Sequence, residues 1–144
     1  MNALVVCPSC EKINRIPFAK AETARPVCGA CKADLPFHGG VQDVSGSALL
    51  KLVRAADRPV VVDCWAEWCG PCKAFAPTFQ AAARELGDRF LFVKLDTETH
   101  SLAAQTYGIR SIPTLIVFDK GVEVARQSGA MPLPMFTEFL NRLG

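Results

Sequence analysis

The chain has 144 residues, room for one ordinary domain and a small module. Half of them are apolar, and sixteen Lys/Arg against fourteen Asp/Glu leave a net charge of +2. That excess is too small to argue for nucleic acid, and no run approaches the roughly 18 apolar residues of a membrane span. Met1-Asn2-Ala3-Leu4-Val5-Val6-Cys7 lacks a basic segment followed by a long apolar one, so no secretory signal is read and a reducing, cytoplasmic location is expected. In such a place seven cysteines point to metal and catalysis, not to a disulfide framework.

The first segment, 1–37, carries Cys7-Pro8-Ser9-Cys10 and Cys28-Gly29-Ala30-Cys31, with seventeen residues between the pairs. This is the spacing of a four-cysteine zinc ribbon holding one ion. Pro8 and Gly29 suit the tight turns that aim two sulfurs at one metal. Lys12 to Phe18 between the pairs reads as a short strand. A piece this small buries too little core to stand unaided, and structural zinc supplies about 10–16 kcal/mol in comparable peptides. Iron in the same four sulfurs is the alternative metal. His38 has no motif around it.

Residues 38–45, with Gly39-Gly40 and a polar tail, read as a linker. Ser45 or Ser47 caps a helix through Ala48–Arg54. A strand is expected at 60–65, then a helix over 70–86 kinked at Pro77. Next come a strand from Arg89 to Asp96, a short helix from Glu98 to Tyr107 stopped by Gly108, and a strand from Pro113 to Phe118. Asp119-Lys120-Gly121 turns into a strand at 122–127, and Pro132 to Leu143 is the last helix. Alternating elements closed by a hairpin and a helix imply an α/β fold, a mixed central sheet flanked by helices.

The chemistry concentrates in Asp63-Cys64-Trp65-Ala66-Glu67-Trp68-Cys69-Gly70-Pro71-Cys72-Lys73. Cys69 stands where the helix begins, against free backbone N–H groups and the positive end of the helix dipole, which favour a thiolate. Cys72, one turn on, can close a disulfide with it, so one sulfur attacks and the other resolves. A carboxylate at Asp63, in a valine-rich strand, is unusual without a role, and burial raises its pKa toward neutrality. Strand alternation sends Cys64 to the opposite core layer, as a small packing residue.

The sequence W-C-G-P-C-K resembles the active site of thioredoxins, and the resemblance runs from about residue 40 to 144. With the four-cysteine module, nearly the whole chain resembles the zinc-containing bacterial thioredoxins. This implies a thioredoxin domain at 46–144, and Cys69 and Cys72 as the redox-active pair. It implies Asp63 as the proton carrier for Cys72, with Lys94 as its partner. It implies a cis bond at Ile112-Pro113, and substrate contacts at Trp68, Gly70, Pro71, Ile112, Pro113, Gly129 and Ala130. Backbone pairing at Ile112 would hold an extended substrate segment.

The activity implied is protein disulfide reduction, recharged by an NADPH-dependent thioredoxin reductase and directed at enzymes such as ribonucleotide reductase. No bound organic cofactor is expected, and the chain is expected to be a monomer. Two other readings stay open: a disulfide oxidase or isomerase, against which Gly70-Pro71 and the absent signal count, and a zinc-ribbon binding module for protein or nucleic acid on a thioredoxin scaffold.

Overall fold

A computed structural model describes residues 2–18 and 25–143. The first segment folds as a two-stranded antiparallel sheet, β1 (Asn2–Val6) with β2 (Ile13–Pro17). The rest builds on a second sheet, in the order β3 (Phe37–His38), β4 (Val41–Asp43), β6 (Leu91–Asp96), β5 (Val60–Trp65), β7 (Thr114–Asp119), β8 (Val122–Ser128). Strands β4, β6 and β5 run parallel; β3, β7 and β8 pair antiparallel with their neighbours. Four helices complete it: α1 (Gly46–Ala55), α2 (Gly70–Leu86), α3 (Ser101–Thr106) and α4 (Leu133–Asn141).

Alternation along the central strands divides the core in two. Val60, Val62 and Cys64 of β5 join Leu91, Val93 and Leu95 of β6 under α1, which offers Leu49, Leu52 and Val53. Val61 and Phe92 face the other way, onto Phe75, Phe79, Ala82 and Ala83 of α2 and Phe136 and Leu140 of α4. Phe75, Phe79, Phe92 and Phe136 form a ring cluster with centroids 5.3–6.5 Å apart. Such pairs are worth about 0.5–1.5 kcal/mol each beyond their burial. Asp63, two residues from Val61, therefore points toward α2, and Cys64 points away from it.

Ser45 caps α1 by accepting from the Ala48 N–H at 3.1 Å. Helix α2 continues through Pro77 to Leu86, so the proline removes one backbone donor without ending the helix. Helix α3 starts later than expected. The Asp96 carboxylate accepts from the N–H groups of Glu98 and Thr99, at 3.0 and 3.2 Å, and holds a turn there. Strand β6 likewise starts at Leu91, because the N–H groups of Arg89 and Phe90 both return to the Leu86 carbonyl.

The expected linker at 38–45 is a correction. Gly39 (φ +57°) and Gly40 (φ +86°) form the two-residue turn of a hairpin, and β3 and β4 on either side belong to the large sheet. The ribbon is also not a loosely tethered module. Ala3–Val6, Cys7 and Cys28 share one buried cluster with α1 and with one face of the large sheet. Gln42, 1% exposed, accepts from the Val6 N–H at 3.3 Å and donates to the Leu4 carbonyl at 2.7 Å. Its side chain thus fastens the free edge of β1 to β4. Arg58 donates to the carbonyls of Asn2 (2.6 Å) and Gly87 (3.0 Å), a second clamp. Among the described residues no helix is long and apolar enough to cross a membrane.

Candidate active site and metal centre

Strand β5 ends at Trp65, and the turn that follows delivers Cys69 as the N-cap of α2. Cys69 and Cys72 form a disulfide, with Cα atoms 5.3 Å apart, and the Cys69 sulfur accepts from the Cys72 N–H at 3.2 Å. The sulfur thus occupies the anion-favouring end of the helix, where unpaired N–H groups and the dipole stabilise negative charge. Both cysteines are buried, Cys69 at 4% exposure and Cys72 at 1%, so Cys69 is marginally the outer of the two. Gly70 and Pro71 are exposed beside them, and Trp68 is 70% exposed.

The Ile112-Pro113 bond is cis, and the Ile112 carbonyl oxygen lies 3.8 Å from the Cys69 sulfur. Gly129, at φ +89°, donates its N–H to the Pro113 carbonyl at 2.8 Å, so the end of β8 is fastened to the start of β7. Its Cβ position faces open space, and only the backbone conformation calls for glycine here. Ala130 follows it, exposed. A groove of about 360 Å³ runs between Trp68 and the proline loop, lined also by Ala104 of α3, Arg110 and Ile112. Sequence reading missed Arg110 and Thr114; the Thr114 hydroxyl donates to the Ser111 carbonyl and braces the proline loop. Neither lies in a motif that marks it in advance.

Asp63 is fully buried, and neither carboxylate oxygen has a hydrogen-bond partner. Burial pushes its pKa up to about 7, with the Lys94 ammonium pulling the other way. Lys94 faces Asp63 across the parallel register of β5 and β6, and Asp43 faces it from β4 on the other side. Its ammonium forms no ion pair with Asp63. It lies 4.2 Å from the centre of the Trp65 ring, a cation–π contact. Lys94 thus acts on Asp63 through register and electrostatic attraction, without a salt bridge. Cys64 is fully buried in the opposite layer, and burial pushes its thiol up to about 12, which leaves it unreactive.

Cys7, Cys10, Cys28 and Cys31 converge, with all four sulfurs within 4.8 Å of one another. A tetrahedral ion with zinc–sulfur bonds of about 2.3 Å requires sulfurs about 3.8 Å apart. The closest approaches, Cys7 to Cys31 at 3.5 Å and Cys10 to Cys28 at 3.6 Å, fit that size. Ligand sulfurs must be deprotonated. Backbone N–H groups of Cys31 and Ala30 push the Cys28 thiol down to about 6. Cys10, despite the Lys12 backbone hydrogen bond, is pushed up to about 11 by desolvation and its sulfur neighbours, and holds the proton that a metal would displace. The donor set and its spacing therefore suit a thiophilic divalent metal.

Comparison with known proteins gives two family matches. Residues 40–142 match the family described as Thioredoxin, and residues 6–33 match a zinc-ribbon family described as Thioredoxin 2, N-terminal. Thioredoxin C-3 of Corynebacterium nephridii is 40% identical over 129 residues, 89% of this chain and 86% of the relative. The thioredoxin of Mycoplasma genitalium is 41% identical over 101 residues, 70% of this chain and 98% of the relative. That of Rhodospirillum rubrum is 37% identical over 100 residues, 69% and 96%.

Proposed function

The chain belongs to the thioredoxin family and is a thiol–disulfide oxidoreductase; on that premise we propose that it reduces protein disulfides, with Cys69 attacking and Cys72 resolving. The reading is carried by one observation: a two-sulfur pair capping α2, with the unpartnered Asp63 carboxylate buried on the α2 side of the sheet.

In the reduced protein the Cys69 thiolate attacks one sulfur of a substrate disulfide. A new S–S bond forms, the substrate bond breaks, and its departing sulfur takes a proton. Cys72 then loses its proton and attacks Cys69. The Cys69–Cys72 disulfide forms and the second substrate thiol leaves, so two electrons pass from the protein to the substrate. Asp63 accepts the Cys72 proton. A carboxylate with a pKa of about 7 can take up a proton and give it back at neutral pH. Lys94 tunes it from across the register. An extended substrate segment lies along Trp68, Gly70, Pro71, Ile112, Pro113, Gly129 and Ala130, with backbone pairing at Ile112.

Substrates are disulfide-bearing proteins, among them ribonucleotide reductase-like enzymes. Reducing equivalents come from NADPH through a thioredoxin reductase, in the cytoplasm, to a monomer. Cys7, Cys10, Cys28 and Cys31 hold one structural zinc, which ties β1 and β2 to the turn at 28–31. The sulfur spacing and the zinc-ribbon family match support that reading.

The deciding experiment is insulin reduction with NADPH and a thioredoxin reductase, beside a zinc determination on the purified chain. Turnover with one zinc per chain is expected. Tight partner binding without turnover would favour a binding module, and a strongly oxidising reduction potential would favour an oxidase or isomerase.

A further inference from the structure

The two cysteine knuckles are near copies of one another. The Cys7 carbonyl accepts from the Glu11 N–H at 2.9 Å, and the Cys28 carbonyl from the Lys32 N–H at 3.0 Å. The Cys7 sulfur accepts from the Ser9 N–H at 3.4 Å, and the Cys28 sulfur from the Ala30 N–H at 3.4 Å. Cys7 and Cys28 are both fully buried, whereas Cys10 and Cys31 are exposed.

The copies differ in the source of a further donor to the buried sulfur: the Cys7 sulfur also accepts from the backbone N–H of Cys10 at 3.5 Å, and the Cys28 sulfur from a side chain. Asn14, on β2 and 8% exposed, turns its amide toward the second knuckle. Its Nδ2 donates to the Cys28 sulfur at 3.6 Å and to the Lys12 carbonyl at 3.2 Å. Its Oδ1 accepts from the Gly29 N–H at 2.9 Å. Every polar atom of the side chain is used, at no small entropic cost for a buried amide. Among the described residues no side-chain amide or hydroxyl reaches the Cys7 sulfur.

We propose that Asn14 is a positioning residue of the metal centre: its amide N–H fixes the Cys28 sulfur in place as a ligand and offsets its negative charge. This rests on the zinc reading above. Four thiolates around a divalent ion carry two net negative charges, and N–H donors aimed at sulfur offset that excess. Partners of this kind orient the ligand as well, and their loss typically weakens metal binding about 10–100-fold. Cys7 and Cys28 are equally buried; Cys7 draws its donors from its own knuckle, whereas Cys28 draws one from β2 through Asn14.

Two measurements on the full chain test it. In competition with a chromogenic chelator, Asn14→Ala should bind zinc about 10–100-fold more weakly. Asn14→Asp, which keeps the acceptor for Gly29 but loses the donor to sulfur, should weaken binding as well. In the cobalt-loaded protein both variants should move the sulfur-to-metal charge-transfer band to lower energy, a signature that a purely structural role would not produce. Unchanged affinity and an unmoved band in Asn14→Asp would confine the amide to holding the turn and overturn the assignment. Wild-type chain that binds neither metal overturns the zinc reading itself, and this assignment with it.

Discussion

Cys69–Cys72 and the two knuckles share one spacing, two residues between sulfurs, yet the sulfurs bond in different directions. At Cys69 the chain continues as a helix, so both sulfurs meet over its first turn and join each other. After Cys10 and Cys31 it turns back through a left-handed residue, Glu11 at φ +63° and Lys32 at φ +67°. The sulfurs of each knuckle then face the opposite knuckle, Cys7 toward Cys31 and Cys10 toward Cys28. The spacing alone does not choose between redox chemistry and metal binding. The backbone conformation just after the second cysteine does.

The comparison breaks most sharply at the redox pair. Cys69→Ser should reduce insulin turnover to background and trap no substrate, while Cys72→Ser should accumulate mixed disulfides through Cys69. Zinc content should stay at one per chain in both. Trapping by Cys69→Ser instead would reverse the assigned roles.

The knuckles give the next largest effect. Replacing Cys28 and Cys31 by serine should abolish zinc binding. Because Cys7, Cys28 and β1 share the core that covers α1, the loss should spread beyond the ribbon. The thermal midpoint should fall by about 10 °C or more, several kcal/mol at the usual conversion. Insulin reduction at 25 °C should survive, since no ribbon cysteine belongs to the disulfide. Unaltered melting would show that the metal stabilises nothing outside the knuckles.

Asp63→Asn sharpens the difference between a buried carboxylate that moves protons and a site that only binds. Turnover at pH 7 should fall about tenfold or more, and the deficit should narrow toward pH 9, where Cys72 ionises unaided. Stability should change with the opposite sign. The folded pKa is raised from 3.8 to about 7, so between those values the native state holds more protons than the unfolded one. Wild-type stability therefore falls as pH rises from about 4 to about 7. The asparagine variant should be more stable than wild type by about 2–4 kcal/mol at pH 8 and comparable near pH 4. Denaturant titrations at the two pH values check this; a constant difference would remove Asp63 as the titrating group.

The smallest effect concerns the left-handed turn itself. Lys32→Gly relieves a side chain at positive φ and gives up only an exposed bond from its ammonium to the Gly29 carbonyl. Stability should rise by about 1 kcal/mol with zinc binding intact. Destabilisation would mean that Lys32 contributes through its side chain.

By itself the sequence determined what depends on neighbours along the chain. Strand β5 and helix α2 lie where the valine run and the Gly-Pro start place them, at 60–65 and 70–86. The period of two put Asp63 and Cys64 on opposite faces, and the spacing of four cysteines marked the sulfurs that converge. The thioredoxin fold was legible from the order of the elements and from the W-C-G-P-C motif. Tertiary structure decided the rest. It made Gly39-Gly40 a hairpin turn, because β4 finds β6 some fifty residues away in sequence. It docked the ribbon through Gln42 and Arg58, whose partners lie 36–56 residues distant in the chain. It set the Lys94 ammonium on Trp65 without a salt bridge to Asp63, left both Asp63 oxygens without partners, and aimed Asn14 at Cys28. Each of these depends on which distant segments return to the same place, and local periodicity carries no record of that.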